Sequence, residues 1–243
     1  MDEPLPDGRG SDRGYRRHAL PTGFASLDKA LGIGGLPRGK LVEIFGPPSC
    51  GKTALALQIV AALQCDGGAA AWIDADHAFD AAFAAALGVD VGRMPVAAPE
   101  STEQACEMAR SLAASGALDL VVIDSAASLT PQVELETDIG SSGATLHSRA
   151  LGSALRRLAP VARRSDVAVL ILNQIRIRAQ PGAAQPETSA GGPSIKLYAA
   201  VRVALSATGR TVRFRVMKNN LAAAFGAGEL EWLPRSGGFV ERR

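Results

Sequence analysis

Eight consecutive residues, Gly46, Pro47, Pro48, Ser49, Cys50, Gly51, Lys52 and Thr53, carry the GxxxxGK[ST] spacing of a phosphate-binding loop. An apolar run precedes them and a helical pattern follows, the context in which that spacing acquires a mechanism. Gly46 and Gly51 let the backbone curl until several N–H groups point inward at phosphate. The helix opening near Lys52 adds its positive end. The Lys52 ammonium is then placed to reach β- and γ-phosphates, and the Thr53 hydroxyl to ligate Mg²⁺. Cys50, inside the loop, reads as a passive small residue or as an oxidisable one.

A magnesium-holding carboxylate should end a neighbouring buried strand. The run Leu120-Val121-Val122-Ile123 leads directly into Asp124, at the carboxyl end where ligands collect in open α/β sheets. Asp124 there either ligates the metal or caps the following turn. Asp74 and Asp76 end another apolar run, and one of them should orient or deprotonate an attacking water. His77 beside them reads as a packing or hydrogen-bonding residue. Asn173 and Gln174 end a third run, where an amide can touch a γ-phosphate and shift when it leaves. The segment from about Arg176 to Gly192, rich in Gly, Pro, Gln and Ala, reads as a long loop. It is either a segment that orders on binding or an exposed linker.

A second chemistry is written along residues 145–164. At 100° per residue Leu151, Leu155 and Leu158 share one helix face, while Arg149, Arg156 and Arg163 line another. Guanidinium groups about 10 Å apart suit successive phosphates of a strand. Arg176 and Arg178 extend this row, and the row itself contains no aromatic residue for base stacking. The charge distribution agrees. Residues 139–218 hold thirteen Lys or Arg against two acidic residues, within a chain whose net charge is only +2. Such a split points to a polyanion-facing side or to solvated helix and strand edges.

These residues need a scaffold, and the chain of 243 residues supplies one. Short unbroken apolar runs at Leu41–Phe45, Ala70–Ile73, Leu120–Ile123 and Val167–Leu172 read as parallel strands covered on both faces. Helical patterns at Lys52–Leu63, Ala78–Leu87, Thr102–Ala114 and Thr145–Arg164 alternate with them, which predicts an α/β doubly wound sheet. A short helix should follow Gly191, and Val201–Leu205 with Val212–Met217 should close the sheet as an antiparallel extension. Residues 1–20 read as a flexible tail and 21–243 as one folded core. Hydrophobic content of 47% excludes a disordered chain, and no apolar run reaches the length of a membrane span. Three cysteines without CxxC spacing argue against a disulfide framework or a zinc site. The expectation is a soluble, cytoplasmic protein.

From about Leu20 to Phe225 the chain resembles the RecA recombinase family. The resemblance rests on Pro21–Asp28, Gly34–Pro37, Val42–Gly46, Ile73–Ala78, Val122–Ser125, Asn173–Arg176, Pro186–Thr188 with Gly191 and Gly192, and Val216–Asn219. It implies the RecA-like P-loop fold, ATP and Mg²⁺ as cofactors, and single-stranded DNA as partner. It further implies assembly of like subunits, with nucleotide between neighbours, in recombination and DNA repair. By position it implies that Phe83 stacks on adenine, that Asp80 contacts its edge, and that Asp76 stands for the catalytic glutamate. Gln174 matches the γ-phosphate sensor, and Lys218 matches a lysine that reaches a neighbour's ATP. Arg149, Arg156, Arg176, Gly191 and Gly192 match DNA-contacting positions.

Several positions depart from that pattern. Asp76 is one methylene shorter than Glu, Asn220 replaces a second interface lysine, and Pro181, Gly182 and Ala183 stand where bulky apolar residues are expected. Pro193 replaces an asparagine, and neither a preceding docking helix nor a C-terminal domain is expected. Two functions follow as expectations. One is a DNA-dependent ATPase of recombinational repair, assembling alone or beside a full-length family member. The other is a non-recombining relative acting as an adaptor in damage-induced mutagenesis, with weak or no ATPase.

Overall fold

The computed structural model describes residues 18–136, 143–177 and 187–242. The apolar runs become strands because each is buried on both sides. β3 (Leu41–Gly46), β4 (Ala70–Asp74) and β6 (Leu120–Asp124) are buried along their whole length. β7 (Ala168–Ile177) joins them in parallel. Strands β1 (Ala19–Leu20) and β2 (Leu36–Pro37), with helix α1 (Ala25–Leu31) between them, precede β3. The connections that follow carry α2 (Lys52–Cys65), α3 (Ala81–Ala86), β5 (Val96–Ala97), α4 (Thr102–Ala114), α5 (Gln132–Leu135) and α6 (Gly143–Ser165). After β7 come β8 (Glu187–Ser189), α7 (Pro193–Tyr198), β9 (Val201–Thr208), β10 (Thr211–Asn219), β11 (Ala227–Leu233) and β12 (Gly238–Glu241).

The main sheet runs β12-β11-β10-β9-β3-β7-β6-β4-β5. It is parallel from β9 to β5 and antiparallel from β9 to β12. Alternate residues of one strand feed two cores. Val42, Ile44, Trp72, Leu120, Leu170 and Leu172 pack toward α1 and α2. Leu41, Ile73, Val121, Ile123, Val169 and Ile171 pack toward α4 and α6. This is the doubly wound α/β fold of a RecA-like P-loop core, with the antiparallel extension the alternation in residues 201–217 predicts. Among the described residues no helix is long and apolar enough to cross a membrane.

Three elements differ from their reading in sequence. The helix expected over Ala78–Leu87 begins only at Ala81, because the Asp74 carboxylate accepts the Ala78 and Phe79 N–H groups and Asp80 caps the helix. The segment read as a loop from Arg176 begins as strand. Ile175, Arg176 and Ile177 pair antiparallel with Ser189, Thr188 and Glu187, so β7 and β8 form a hairpin. Ala19 and Leu20, at the end of the segment read as a tail, pair with Pro37 and Leu36. Residues 1–17 and Arg178, with Pro181, Gly182 and Ala183, lie outside the described residues.

Candidate functional site

The loop after β3 is built on two positions where a side chain cannot fit. A Cβ on Gly46 would lie 2.4 Å from the Leu205 carbonyl oxygen. A Cβ on Gly51, whose φ is +89°, would lie 2.3 Å from Cζ of Phe239. Ser49 also adopts a left-handed conformation, φ 59°, so the chain curls through Pro47–Gly51 before α2 starts. Lys52 is buried, and its Nζ donates to the carbonyl oxygens of Pro47 (2.7 Å) and Gly46 (3.3 Å). Cys50 is buried, and burial pushes its thiol pKa up against the pull of Lys52, so the passive reading fits.

Thr53 and Asp124 meet across this loop, the Thr53 Oγ1 donating to Asp124 Oδ2 at 2.7 Å. Burial pushes the Asp124 carboxyl up to about 6. The charges of Asp76 and Asp74 add to the rise, and the Thr53 hydrogen bond and Lys52 oppose it. A hydroxyl and a buried carboxylate side by side are hard oxygen donors fit for Mg²⁺. That ion takes one or two protein oxygens and completes its shell with phosphate and water. Among the described residues no cluster of three or more His, Cys, Asp or Glu could hold a metal by itself.

The two candidate carboxylates after β4 separate by role. Asp74 is consumed in capping its own loop. Asp76 is exposed, and its Oδ1 accepts from the Ser125 N–H (3.0 Å) and Ser125 Oγ (2.9 Å), beside a cis Asp124–Ser125 peptide. These bonds to Ser125 set Asp76 beside Asp124, with no hydrogen bond to its Oδ2 among the described residues. His77 is exposed with φ 52°, so the expectation of a packing role does not hold. Gln174 pairs with Gly46 in the parallel register of β7 and β3, at the mouth of the loop.

Asp80 caps α3, its Oδ1 accepting the Ala82 and Phe83 N–H groups, which leaves its other carboxylate oxygen outside the cap. Phe83 is partly buried against the first core, and Gly237 approaches its ring so closely that a Cβ there would lie 2.6 Å away. The β11–β12 hairpin thus touches both Phe83 and Gly51, and Gln58 fixes it. The Gln58 side-chain amide donates to the Phe239 carbonyl (3.0 Å) and accepts its N–H (2.7 Å). Phe239 and Gln58 escape sequence reasoning. The alternation Leu230, Trp232 before Ser236-Gly237-Gly238 is the signal that could have found the hairpin.

The arginine helix presents the two faces its spacing predicts. Leu151, Leu155 and Leu158 are buried, while Arg149, Arg156 and Arg163 are exposed. Arg156 and Arg163 line a groove of about 820 Å³ with Lys40, Arg164, Tyr198 and Asn220. The fold thus brings an aromatic residue beside the row from a distant segment. Gly191 (φ +81°) and Gly192 (φ +72°) seat their turn on the same helix. Cβ atoms there would lie 2.4 Å from Leu151 Cδ2 and 2.3 Å from Ser148 Oγ. Positive φ and close packing together therefore favour glycine at both positions.

Lys218 is not brought to the phosphate loop. It pairs with Arg202, whose neighbour Glu43 lies before the loop on β3, and its Nζ donates to the Lys196 and Leu197 carbonyl oxygens. Burial and the nearby Arg202 charge hold its pKa below the usual lysine range.

Residues 9–237 match a family model described as the RecA N-terminal domain. The chain is 45% identical over 224 residues to Protein RecA of a Nitratiruptor species, covering 88% of this chain and 65% of that protein. It is 41% identical over 248 aligned residues to Protein RecA of Herpetosiphon aurantiacus, covering 96% and 69%. With Protein RecA of Thermus aquaticus it shares 44% identity over 223 residues, covering 87% and 66%. The chain spans about two thirds of the length of these curated relatives.

Proposed function

We propose that this chain, which belongs to the RecA family, is an ATP-gated single-stranded-DNA-binding protein of recombination and repair that hydrolyses ATP. The observation that carries the reading is the sheet register. It sets Gln174 opposite Gly46 at the phosphate loop, while the chain beyond Gln174 folds back to the Gly191–Gly192 turn seated on the arginine helix. A change at the phosphate end therefore has a short route to the basic face.

In this reading the Gly46–Gly51 backbone and Lys52 hold the triphosphate, Thr53 and Asp124 hold Mg²⁺, and Phe83 with Asp80 flanks the base. Mg²⁺, when bound, supplies charge neutralisation of the phosphate oxygens. Asp76 takes a proton from the attacking water at its free carboxylate oxygen, and Gln174 senses the γ-phosphate. Arg149, Arg156, Arg163, Arg176 and Arg178 with the glycine turn meet DNA phosphates. Lys218 acts across a boundary between subunits, either copies of this chain or a longer family member. The site of action is the cytoplasm.

One observation favours the second reading, an adaptor with weak ATPase. Asp76 is one methylene short, and its Oδ1 is tied to Ser125. A ~1 Å retreat of a base can cost about 10²-fold in rate. Binding of labelled oligothymidylate across a salt series, with and without ATP, tests the main reading: affinity should rise with ATP and fall with salt. Absence of salt-dependent binding in both conditions removes it. If binding is present but hydrolysis is negligible with DNA, the adaptor reading takes its place.

A further inference from the structure

Glu43 lies in the middle of β3, fully buried, between the two sheet segments that carry the proposed machinery. Its Oε2 accepts from Arg202 Nε at 2.5 Å, and its Oε1 accepts from Asn173 Nδ2 at 2.9 Å. The Arg202 guanidinium also lies over the Phe45 ring, 4.5 Å from its centre. Asn173 is buried, and each polar atom of its amide is used. Nδ2 also donates to the Ala190 carbonyl at 3.0 Å, and Oδ1 accepts the Gln174 N–H at 2.9 Å. The Ala190 N–H in turn donates to the Gln174 carbonyl at 2.8 Å.

One side chain thus joins the residue opposite the phosphate loop to the residue before Gly191, and a buried carboxylate sets its orientation. Stability does not call for this arrangement, because a well-packed apolar group of similar volume commonly serves a core as well as a buried ion pair. Fixing the geometry of a polar network is a better-attested use of such a pair. With Glu43 holding the amide, Gln174 and Ala190 cannot shift independently.

We propose that Glu43 is a positioning residue: through Asn173 it makes Gln174 and the Ala190–Gly192 turn move as one body, so that nucleotide state reaches the DNA-facing turn. The proposal rests on the ATP-gated reading above. Arg202 anchors Glu43 from the β9 side, and it does so next to Lys218.

The test is a double-mutant cycle on the full chain: wild type, Glu43→Gln, Gln174→Ala and the double variant. The readout is the ratio of oligothymidylate affinity with and without a non-hydrolysable ATP analogue, alongside affinity for a fluorescent ATP analogue. Glu43→Gln should reduce the ratio about tenfold while nucleotide affinity stays within about twofold, and it should reduce it no further in the Gln174→Ala background. An unchanged ratio in Glu43→Gln overturns the proposal. So do losses that multiply in the double variant, or a parallel loss of nucleotide affinity. If Glu43→Gln does not fold, Arg202→Lys keeps a cation beside Glu43 but loses the planar fork. It should lower the ratio while the chain still folds, and an unchanged ratio there is equally fatal. Should wild type show no ATP-dependent ratio, the ATP-gated reading falls and this inference falls with it. Should wild type show it and the variants match wild type, only the inference falls.

Discussion

Thr53 and Asp124 come from segments 71 residues apart and share a 2.7 Å hydrogen bond at the carboxyl edge of the sheet. The pair couples a buried carboxylate whose pKa is about 6 to the residue that follows the phosphate-loop lysine.

The first prediction concerns that charge. Asp124 is raised in the folded protein above its ordinary value of 3.8, so between pH 4 and 6 the native state binds the extra proton. Stability from this group is therefore lost as pH rises from about 4 through 6. In metal-free, nucleotide-free buffer Asp124→Asn should melt higher than wild type at pH 7, and the gap should close as pH falls toward 4. The same variant should lose Mg²⁺-dependent nucleotide affinity by about 10–100-fold. A variant less stable than wild type at pH 7 contradicts the assignment.

The C-terminal hairpin should matter to nucleotide binding. Gln58→Leu removes both hydrogen bonds to the Phe239 backbone. Leaving those groups without partners should cost about 1–3 kcal/mol. Weaker affinity for a fluorescent ATP analogue should accompany the lower melting temperature, because Phe239 packs on Gly51. A melting temperature and affinity equal to wild type would show that the hairpin is incidental.

How much of this is legible in sequence follows from how each element is encoded. The central strands and the two-faced helix α6 are local patterns: unbroken apolar runs, and leucines and arginines at helical spacing. The phosphate loop, Asp124 and Gln174 are legible because each ends or follows such a run. Phe239, Gln58 and Tyr198 are not. Their importance comes from contacts made by distant segments, and no short-range pattern marks a residue that packs against a glycine nearly two hundred positions away. The start of α3 is missed for a related reason, since the Asp74 side chain captures two amides that the apolar spacing assigns to a helix.

Packing and DNA contact can be separated at Gly192. Gly192→Ala drives a Cβ into Ser148 at an unfavourable φ of +72°. Single-stranded-DNA affinity should fall about tenfold or more while nucleotide affinity holds, and adding Ser148→Gly should restore part of the loss. No recovery in the double variant indicates that the backbone conformation at φ +72° or direct DNA contact, and not the Ser148 contact, is what requires glycine.

Each arginine of the exposed row should count as one phosphate contact. Arg156→Ala and Arg163→Ala should each flatten the plot of log affinity against log salt by about 0.7, the single-strand value per contact. Unaltered slopes place the strand elsewhere on the molecule.

Asp76→Glu adds the missing methylene beside Ser125. Steady-state hydrolysis with single-stranded DNA present should rise by roughly one to two orders of magnitude, with little change in nucleotide affinity. A rate equal to or below wild type means Asp76 is not the limiting base.

The gating claim meets its most direct test at Lys52, which is buried in the loop and bonded to the Pro47 carbonyl. Oligothymidylate affinity should be measured for wild type and Lys52→Ala, with and without ATP and Mg²⁺. The account predicts a nucleotide-dependent gain in wild type and none in the variant, whose nucleotide-free affinity matches wild type. An equal gain in both proteins contradicts it.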